Sequence, residues 1–339
     1  MWGRTQAEAG EHHALDTTSL TVTGNPRFDL CRPAYRSVYD TAAARHRDRH
    51  GPYVLFNMNF GKANPHDFVS QQRLFRRNNK SVDTAEFGYI SLLWHEMLAA
   101  IHHLAMHTDL RVVVRPHPSE DHAVYERLFA AQPTVETAHE GDVRPWIVGA
   151  TAVVHNGCTT GIESALLGTP TFAYQPVTDE RFDSALPNTV SQSVRSREAL
   201  REAVLAAGDD PSHRLSASQH DVLDAYFTTG GPPAAEAIAD VIDDLGPPEK
   251  IAPGQLHPGY RRVTEEIIKS TLPSWILDRM FERIAAPEES RRRSYQTQKF
   301  PGLTQHEISN RAETLSSISG FSSPSIKKVR GTANTFLLS

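Results

Sequence analysis

Short apolar runs alternate with longer stretches of helical apolar spacing between residues 50 and 245. The apolar runs predict strands at 53–57, 111–115, near Thr134, 152–155 and 170–174. The stretches between and after them predict helices around 87–107, 121–131, 143–149, 160–167, 196–207, 214–227 and 232–245. This alternation is typical of an α/β fold with a doubly wound parallel sheet, because each helix carries the chain back to begin the next strand.

The strand at 152–155 leads into a loop of glycine and small hydroxylated residues, and a helix follows at once. Backbone N–H groups at a helix N-terminus lack intrahelical partners and carry partial positive charge. Gly157 leaves room for a phosphate, while Thr159 and Thr160 can cap the helix or donate hydroxyls to a ligand. About one turn further on, the Glu163 carboxylate can reach two ribose hydroxyls. The loop therefore predicts a phosphate or nucleotide site, and the alternative is a turn that only caps the helix.

Arg115 and His117 lie where the strand at 111–115 ends in a proline-bounded turn, 116–120. Ligands bind at the carboxyl edge of open α/β sheets. A guanidinium there can bind phosphate oxygens, and an imidazole can act as acid or base near neutral pH. Alternatively, Arg115 pairs with a carboxylate such as Glu120, and His117 caps a neighbouring helix.

The first strand runs into a loop rich in side-chain amides, 57–64, which Gly61 opens. Asn59 and Gly61 are candidates for contact with a base or a sugar. The alternative is that the amides satisfy the backbone of their own loop, which is a common use of asparagine in turns.

Four motifs, in this order, are similar to those of bacterial surface carbohydrate biosynthesis proteins. They are Thr23-Gly-Asn-Pro-Arg-Phe-Asp-Leu30, Arg115-Pro-His-Pro118, Pro145-Trp-Ile-Val-Gly-Ala150 and His155-Asn-Gly-Cys-Thr-Thr-Gly-Ile-Glu163. These proteins resemble the C-terminal, donor-binding half of GT-B glycosyltransferases. They resemble more loosely the CDP-glycerol glycerophosphotransferases and the non-hydrolysing UDP-N-acetylglucosamine 2-epimerases. The resemblance covers about residues 1–245.

The resemblance implies a Rossmann-like domain that binds a nucleotide-activated donor and carries part of a catalytic site. It implies catalytic roles for Arg115 and His117. It implies donor contacts for a second group of residues: His155, Gly157, Thr159, Thr160 and Glu163.

The resemblance also implies a division of the chain. We expect residues 1–44 to connect from an N-terminal domain that the chain lacks, and 45–245 to form the donor-binding domain. Helical apolar spacing predicts a helical extension over 246–285, and the polar composition of 286–339 predicts a largely disordered tail. In inverting GT-B enzymes the catalytic base usually comes from the N-terminal domain. We therefore expect no glycosyl transfer by this chain alone.

Three classes of function follow. The first is a transferase of surface polysaccharide biosynthesis that uses a nucleotide-activated sugar or polyol donor and a glycan or carrier-linked acceptor. The second is a UDP-N-acetylglucosamine 2-epimerase-like enzyme. The third is a non-catalytic nucleotide-binding module. The sequence names neither donor nor acceptor, and it leaves open whether the chain is an enzyme.

Composition favours a cytoplasmic protein. The formal net charge of −5 gives no support to a nucleic-acid partner. The sequence contains no apolar run of membrane-spanning length and no basic-then-apolar signal segment, so any membrane association would be peripheral. Two cysteines are too few for a disulfide framework and indicate a reducing compartment.

We predict no cofactor and no metal. Histidines are numerous, but His103 and His107 have i, i+4 spacing without the glutamate of a zincin motif. Cys158, beside His155, also permits a nucleophile interpretation. The favoured interpretation is that Cys158 is a small apolar residue suited to a tight loop.

Overall fold

The computed structural model describes residues 3–11, 20–67, 83–209, 215–246, 303–320, 322–328 and 336–338. The chain forms two compact units, Met1–Ala239 and Asp240–Ser339. The first unit contains a parallel sheet, and the second contains a helix and a short antiparallel pair of strands.

The sheet of the first unit consists of six parallel strands. They are β1 Tyr53–Asn57, β2 Arg111–Arg115, β3 Val135–Thr137, β4 Ala152–His155, β5 Thr171–Tyr174 and β6 Gln192–Val194. Their order is β3-β2-β1-β4-β5-β6, which is the order of a Rossmann-type sheet. The predicted doubly wound α/β fold is confirmed. The strands β1, β2 and β3 are added towards one end of the sheet, and β4, β5 and β6 towards the other. The topological switch point therefore lies between β1 and β4.

Helices precede, connect and follow these strands. They are α1 Arg4–Glu11, α2 Pro26–Asp29, a 3-10 helix Pro33–Tyr39, α3 Asp40–His50, α4 Thr84–His107, α5 His122–Leu128, α6 Val143–Gly149, α7 Thr159–Leu166, α8 Ala185–Thr189, α9 Arg197–Asp209, α10 Ala217–Phe227 and α11 Ala234–Leu245.

Apolar side chains cover both faces of the sheet. Val54 and Phe56 pack in a core with α4 and α9, whereas Tyr53 and Leu55 pack in a second core with α3, α6, α7 and α10. Successive residues of a strand point to opposite faces. A strand buried on both faces is therefore apolar at nearly every position, which explains the continuous runs in the sequence.

The segment before residue 45 belongs to the second of these cores. Phe28, Cys31, Tyr39 and Ala43 are all buried there. The sequence analysis expected 1–44 to be a connecting segment and began the domain at residue 45. The structure differs because these apolar side chains complete the face of the sheet that α6 and α7 cover.

The second unit contains α12 Gln305–Ser319 and the strands β7 Ile326–Lys328 and β8 Phe336–Leu338. We expected little structure in 286–339. The helix forms where Thr304 and Glu307 make a capping box and Gly320 ends it in a left-handed conformation. Within the predicted helical extension 246–285, residues from 247 onward lie outside the described residues.

Candidate functional site

Three strands end side by side at one edge of the sheet, here called the carboxyl edge. Asn57, the last residue of β1, is paired with Arg115 on one side and with His155 on the other. Leu55 and Val153, which lie two residues before Asn57 and His155, belong to the core that α6 and α7 cover. By strand alternation, the three terminal side chains face the same two helices. The sequence-predicted residues therefore meet at the switch point.

Helix α7 begins at the switch point without a side-chain cap. Cys158 occupies the N-cap position; its side chain makes no cap hydrogen bond of standard geometry, although the amide and hydroxyl of Thr160 lie close enough to the thiol to lower its pKa. Thr159, the first helical residue, is exposed, and its amide has no hydrogen-bond partner among the described residues. From the sequence, Thr159 and Thr160 could cap the helix or donate hydroxyls to a ligand, and the helix was predicted to begin at residue 160. The structure instead starts the helix one residue earlier, which leaves the Thr159 amide directed away from the helix.

Cys158 is a buried thiol. Burial raises its pKa, although the neighbouring amide and hydroxyl of Thr160 act in the opposite direction. A thiol whose pKa is raised is a weak nucleophile at neutral pH. The structure therefore supports the apolar-loop interpretation of Cys158.

Gly157 is held in the left-handed region, with φ at +63°. Its amide donates to Asn188 Oδ1 at 3.0 Å, and a Cβ at this position would lie 2.9 Å from Ser184 Cβ. Gly157 therefore gives the loop its shape, but its own amide is already paired inside the protein.

His155 is completely buried, and both ring nitrogens are used within the protein. Nδ1 accepts the amide of Cys158 at 3.4 Å, so the proton of the neutral ring resides on Nε2. Nε2 then donates to Ser191 Oγ at 2.8 Å, and Ser191 Oγ donates to the carbonyl of Pro187 at 2.9 Å. Burial lowers the pKa of His155 to about 4. We expected His155 to contact the donor; in the structure its hydrogen bonds hold the loop before α7.

Gly161 packs against the His155 ring. A Cβ at this position would lie 2.6 Å from Cε1 and 2.8 Å from Cδ2 of His155. The ring cannot move away without breaking its hydrogen bonds, so the glycine allows α7 to lie on the histidine.

Gly161→Ala should lower the free energy of unfolding by about 1–3 kcal/mol, because overpacking outweighs the better helix propensity of alanine. Gly88, an exposed glycine in α4 with open space around it, is the matched control. Gly88→Ala should raise the free energy of unfolding by about 0.5–1 kcal/mol. Urea denaturation of both variants measures these changes. An increase in the free energy of unfolding for both variants would show that the His155 ring can move aside for the added methyl group.

Glu163 lies in a buried ion-pair network. Its Oε1 accepts from Arg144 Nη2 at 2.9 Å and from Arg27 Nε at 3.2 Å, and its Oε2 accepts from Arg27 Nη2 at 3.4 Å. The Glu163 side chain is 1% exposed, compared with 51% for Arg27 and 14% for Arg144. The sequence analysis expected a carboxylate free for a ribose. In the structure both carboxylate oxygens are engaged, and Arg27 is the more exposed of the two partners.

Arg115 binds backbone carbonyls and not Glu120. Its guanidinium donates to Glu140 O at 3.1 Å and Gly141 O at 2.6 Å, and it lies 5.9 Å from the ring centroid of Trp146. Burial lowers its pKa. In this arrangement Arg115 holds the loop between β3 and α6.

His117 lies in the loop that follows β2, next to the loop that follows β1. Its Nδ1 is 2.7 Å from Ser119 Oγ, and its amide donates to Glu120 Oε1 at 2.8 Å. Gly61 packs so closely on Ser119 that no Cβ would fit, and Asn59 is exposed nearby in the chain. The structure therefore places the loops after β1 and β2 in contact with each other.

Asn57 is the polar residue at the centre of the carboxyl edge. It is 3% exposed, and its Nδ2 has no hydrogen-bond partner among the described residues. A buried amide donor without a partner is costly, and such a group marks a place for a polar ligand atom or a water molecule. The sequence analysis noted Asn57 only as the start of the amide-rich loop.

Chemically, the edge offers a helix N-terminus with an unused amide, a buried amide donor, and an imidazole in the adjacent loop. These are groups that bind anions and transfer protons. Arg27 and Trp146 lie in motifs that the sequence singled out without giving them a role, whereas no local pattern indicated Arg144, Asn188 or Ser191.

Within the described ranges no helix is long and apolar enough to cross a membrane. In the same part of the chain, no group of three histidine, cysteine, aspartate or glutamate side chains is placed to hold a metal ion.

No protein-family model and no curated protein sequence matches the chain. Among solved structures, it is similar to the wall teichoic acid polymerase TagF, with 14% identity, a TM-score of 0.41, and coverage of 72% of this chain and 56% of that one. It is similar to a putative UDP-N-acetylglucosamine 2-epimerase from Listeria monocytogenes, with 13% identity, a TM-score of 0.39 and coverage of 74% and 59%. It is also similar to the calicheamicin glycosyltransferase CalG4, with 20% identity, a TM-score of 0.35, and coverage of 60% of this chain and 44% of that one. The chain thus spans between 44% and 59% of the length of these three proteins.

Proposed function

We propose that the carboxyl edge binds the phosphate of a nucleotide-activated sugar or polyol, and that the chain is a glycosyltransferase-like protein of surface polysaccharide biosynthesis. The observation that carries the proposal is the N-terminus of α7 at the topological switch point, where the amide of Thr159 has no hydrogen-bond partner in the part of the chain that the structure describes. An anion there gains from both the free N–H group and the helix dipole.

Three of the other helices that start at this edge have a charged cap, whereas α8, with Ser184 at its N-cap, also lacks a side-chain cap hydrogen bond. The N-caps of α4, α5 and α6 are Asp83, Asp121 and Asp142, and each accepts backbone N–H groups of its helix. An aspartate satisfies the helix end and repels phosphate. Cys158 in the corresponding position of α7 is neutral and buried, so no negative charge at this N-cap opposes an anionic ligand.

We assign the remaining predicted residues around that anion. Thr159 and Thr160 bind the phosphate, and Gly157 shapes the loop that approaches it. Asn59 and Gly61 contact the base or sugar, and Asn57 supplies a further amide donor. Glu163 reaches a ribose only by releasing Arg27, since both of its oxygens are engaged.

Arg115 and His117 are the proposed catalytic residues. His117 can transfer a proton near neutral pH, and its ring is oriented by Ser119. Arg115 contributes positive charge at the carboxyl edge while it holds the β3–α6 loop. We propose a glycan or carrier-linked acceptor, and a cytoplasmic protein with peripheral membrane association.

Thr159→Pro tests the amide directly. Proline is favoured at the first position of a helix, and Cys158 already has the extended conformation required before proline, with φ −90° and ψ 142°. The substitution therefore removes the N–H donor without breaking α7. Thr159→Val is the matched control, because it removes the hydroxyl and keeps the amide.

Calorimetry with UDP, CDP and CMP should detect binding to the wild type. Thr159→Pro should weaken binding relative to Thr159→Val by about 1.5–3 kcal/mol, the value of a hydrogen bond to a charged group. Equal affinities for the two variants would exclude the Thr159 amide from the site. No binding of any of these nucleotides to the folded wild type would exclude the proposed function.

A further inference from the structure

Two loops of the carboxyl edge are joined to each other along their length. The first loop, residues 58–66, follows β1, and the second loop, residues 116–121, follows β2. The amide of His66 donates to the carbonyl of Ser119 at 2.7 Å, and Asn64 Nδ2 donates to the carbonyl of Asp121 at 2.9 Å. The loops therefore form a single layer over the ends of β1 and β2.

Glu120 lies at the centre of this layer and is completely buried. Its Oε1 accepts the amide of His117, in the second loop, at 2.8 Å. The amide of Phe60, in the first loop, also donates to this carboxylate. The Tyr125 hydroxyl donates to Oε2 from α5. One carboxylate thus binds both loops and a helix.

The hydrogen-bond donors around Glu120 require a side chain that only accepts hydrogen bonds. Trp94 Nε1 donates to the Tyr125 oxygen at 3.0 Å, which directs the hydroxyl proton of Tyr125 towards Glu120. Two backbone amides donate as well. Burial raises the pKa of Glu120 to about 7, although these hydrogen bonds oppose the rise, so the carboxylate that only accepts is the main form above that pH, where the exchange experiments below are made. A neutral amide side chain would place an N–H group against at least one of the three donors.

We propose that Glu120 is a positioning residue that ties the first loop to the second loop and thereby sets Asn59 and Gly61 at a fixed place relative to His117. Asn59 and Gly61 flank Phe60 in the chain, so the Glu120–Phe60 bond fixes them. The Glu120–His117 bond fixes the residue that we assign to proton transfer. The consequence for nucleotide binding rests on the proposed function, whereas the tie between the loops does not.

Hydrogen exchange of the wild type, without nucleotide, tests the tie. Amide exchange rates measured by NMR at low urea concentrations give the free energy of opening at each amide. The amides of Phe60 and His117 should show the same free energy of opening and the same dependence on urea. Different values for the two amides would overturn the proposal, because the loops would then open independently.

Glu120→Gln tests the carboxylate itself. Both amides should exchange about 10- to 100-fold faster, as expected for loss of a hydrogen bond to a charged group, while the amide of Cys158 keeps its protection. Glu86→Gln is the matched control, since Glu86 is partly exposed and pairs with Lys62 of the first loop. It should leave both amides unchanged.

Two outcomes would contradict the role of Glu120. One is unchanged exchange at Phe60 and His117 in Glu120→Gln. The other is faster exchange at all three amides by the same factor, which indicates general destabilisation. Because these experiments contain no nucleotide, a failure of nucleotide binding leaves their result unaffected. If Glu120→Gln does not fold, the wild-type exchange still decides whether the loops open together.

Discussion

Replacing Glu163 by alanine should lower the free energy of unfolding by about 3–5 kcal/mol, the cost of removing one partner from a buried ion pair. Its carboxylate holds two guanidinium groups, and Arg144 is too deeply placed to be solvated freely once the carboxylate is gone. Asp142 stays beside Arg144 at 3.3 Å, which limits the loss. Urea denaturation at neutral pH measures the change.

Two further variants show whether the buried charge is the cause. Glu86→Ala removes a carboxylate whose partner, Lys62, is half-exposed, and it should change stability by less than about 1 kcal/mol. The double variant Glu163→Ala, Arg144→Met should be more stable than Glu163→Ala alone, because it removes the buried guanidinium and leaves only the more exposed Arg27 and Asp142 without these partners. A loss of less than about 1 kcal/mol in Glu163→Ala would contradict the network.

The sequence predicted the central strands well because burial on both faces leaves a plain signal. The strand at 53–57, the strand at 111–115 and the helix at 143–149 have the bounds that the pattern indicated. β6 was missed because Gln192 and Ser193 are exposed and give no apolar run. α3 was missed because its buried residues are only Ala43 and His50, in an otherwise charged sequence.

The carboxyl edge could be predicted for a similar reason. A loop after a parallel strand lies at the same edge as every other such loop, so the order of strands and motifs places Arg115, His117 and Thr159 together. The partners of the polar side chains could not be predicted. Ser191 lies 36 residues from His155, and Arg27 lies 136 residues from Glu163. Local patterns carry no information on such pairs, so both residues were interpreted as facing a ligand.

The roles of the site residues stay a prediction. The structure adds a physical distinction among them, because His155 and Glu163 are satisfied by the protein, whereas Thr159 and Asn57 have donors without partners among the described residues. Ligand experiments are therefore more informative on Thr159 and Asn57, and stability experiments on His155 and Glu163.

Acidification should destabilise the protein through His155 by about 3 kcal/mol between pH 6.5 and pH 4. The folded state keeps this ring neutral because burial lowers its pKa to about 4. In the unfolded chain the ring takes up a proton near its ordinary pKa of about 6.5. Between these values the unfolded state binds more protons, so the free energy of unfolding falls as the pH falls. The contribution is fully present above pH 6.5 and lost below pH 4.

His155→Gln isolates this contribution, since glutamine is polar but does not titrate. Urea denaturation at pH 7.5 and pH 4.5 should show a smaller loss of stability on acidification in His155→Gln than in the wild type. The comparison is needed because other groups also change the stability on acidification. The pKa of Glu120 is raised to about 7, which stabilises the folded state as the pH falls, whereas the lowered pKa of His122 destabilises it, as that of His155 does. His220→Gln, at an exposed position of α10, should leave the wild-type dependence unchanged. If His155→Gln fails to fold, NMR titration of the wild-type ring decides: a ring that titrates near pH 6.5 would contradict its burial as a neutral hydrogen-bonded group.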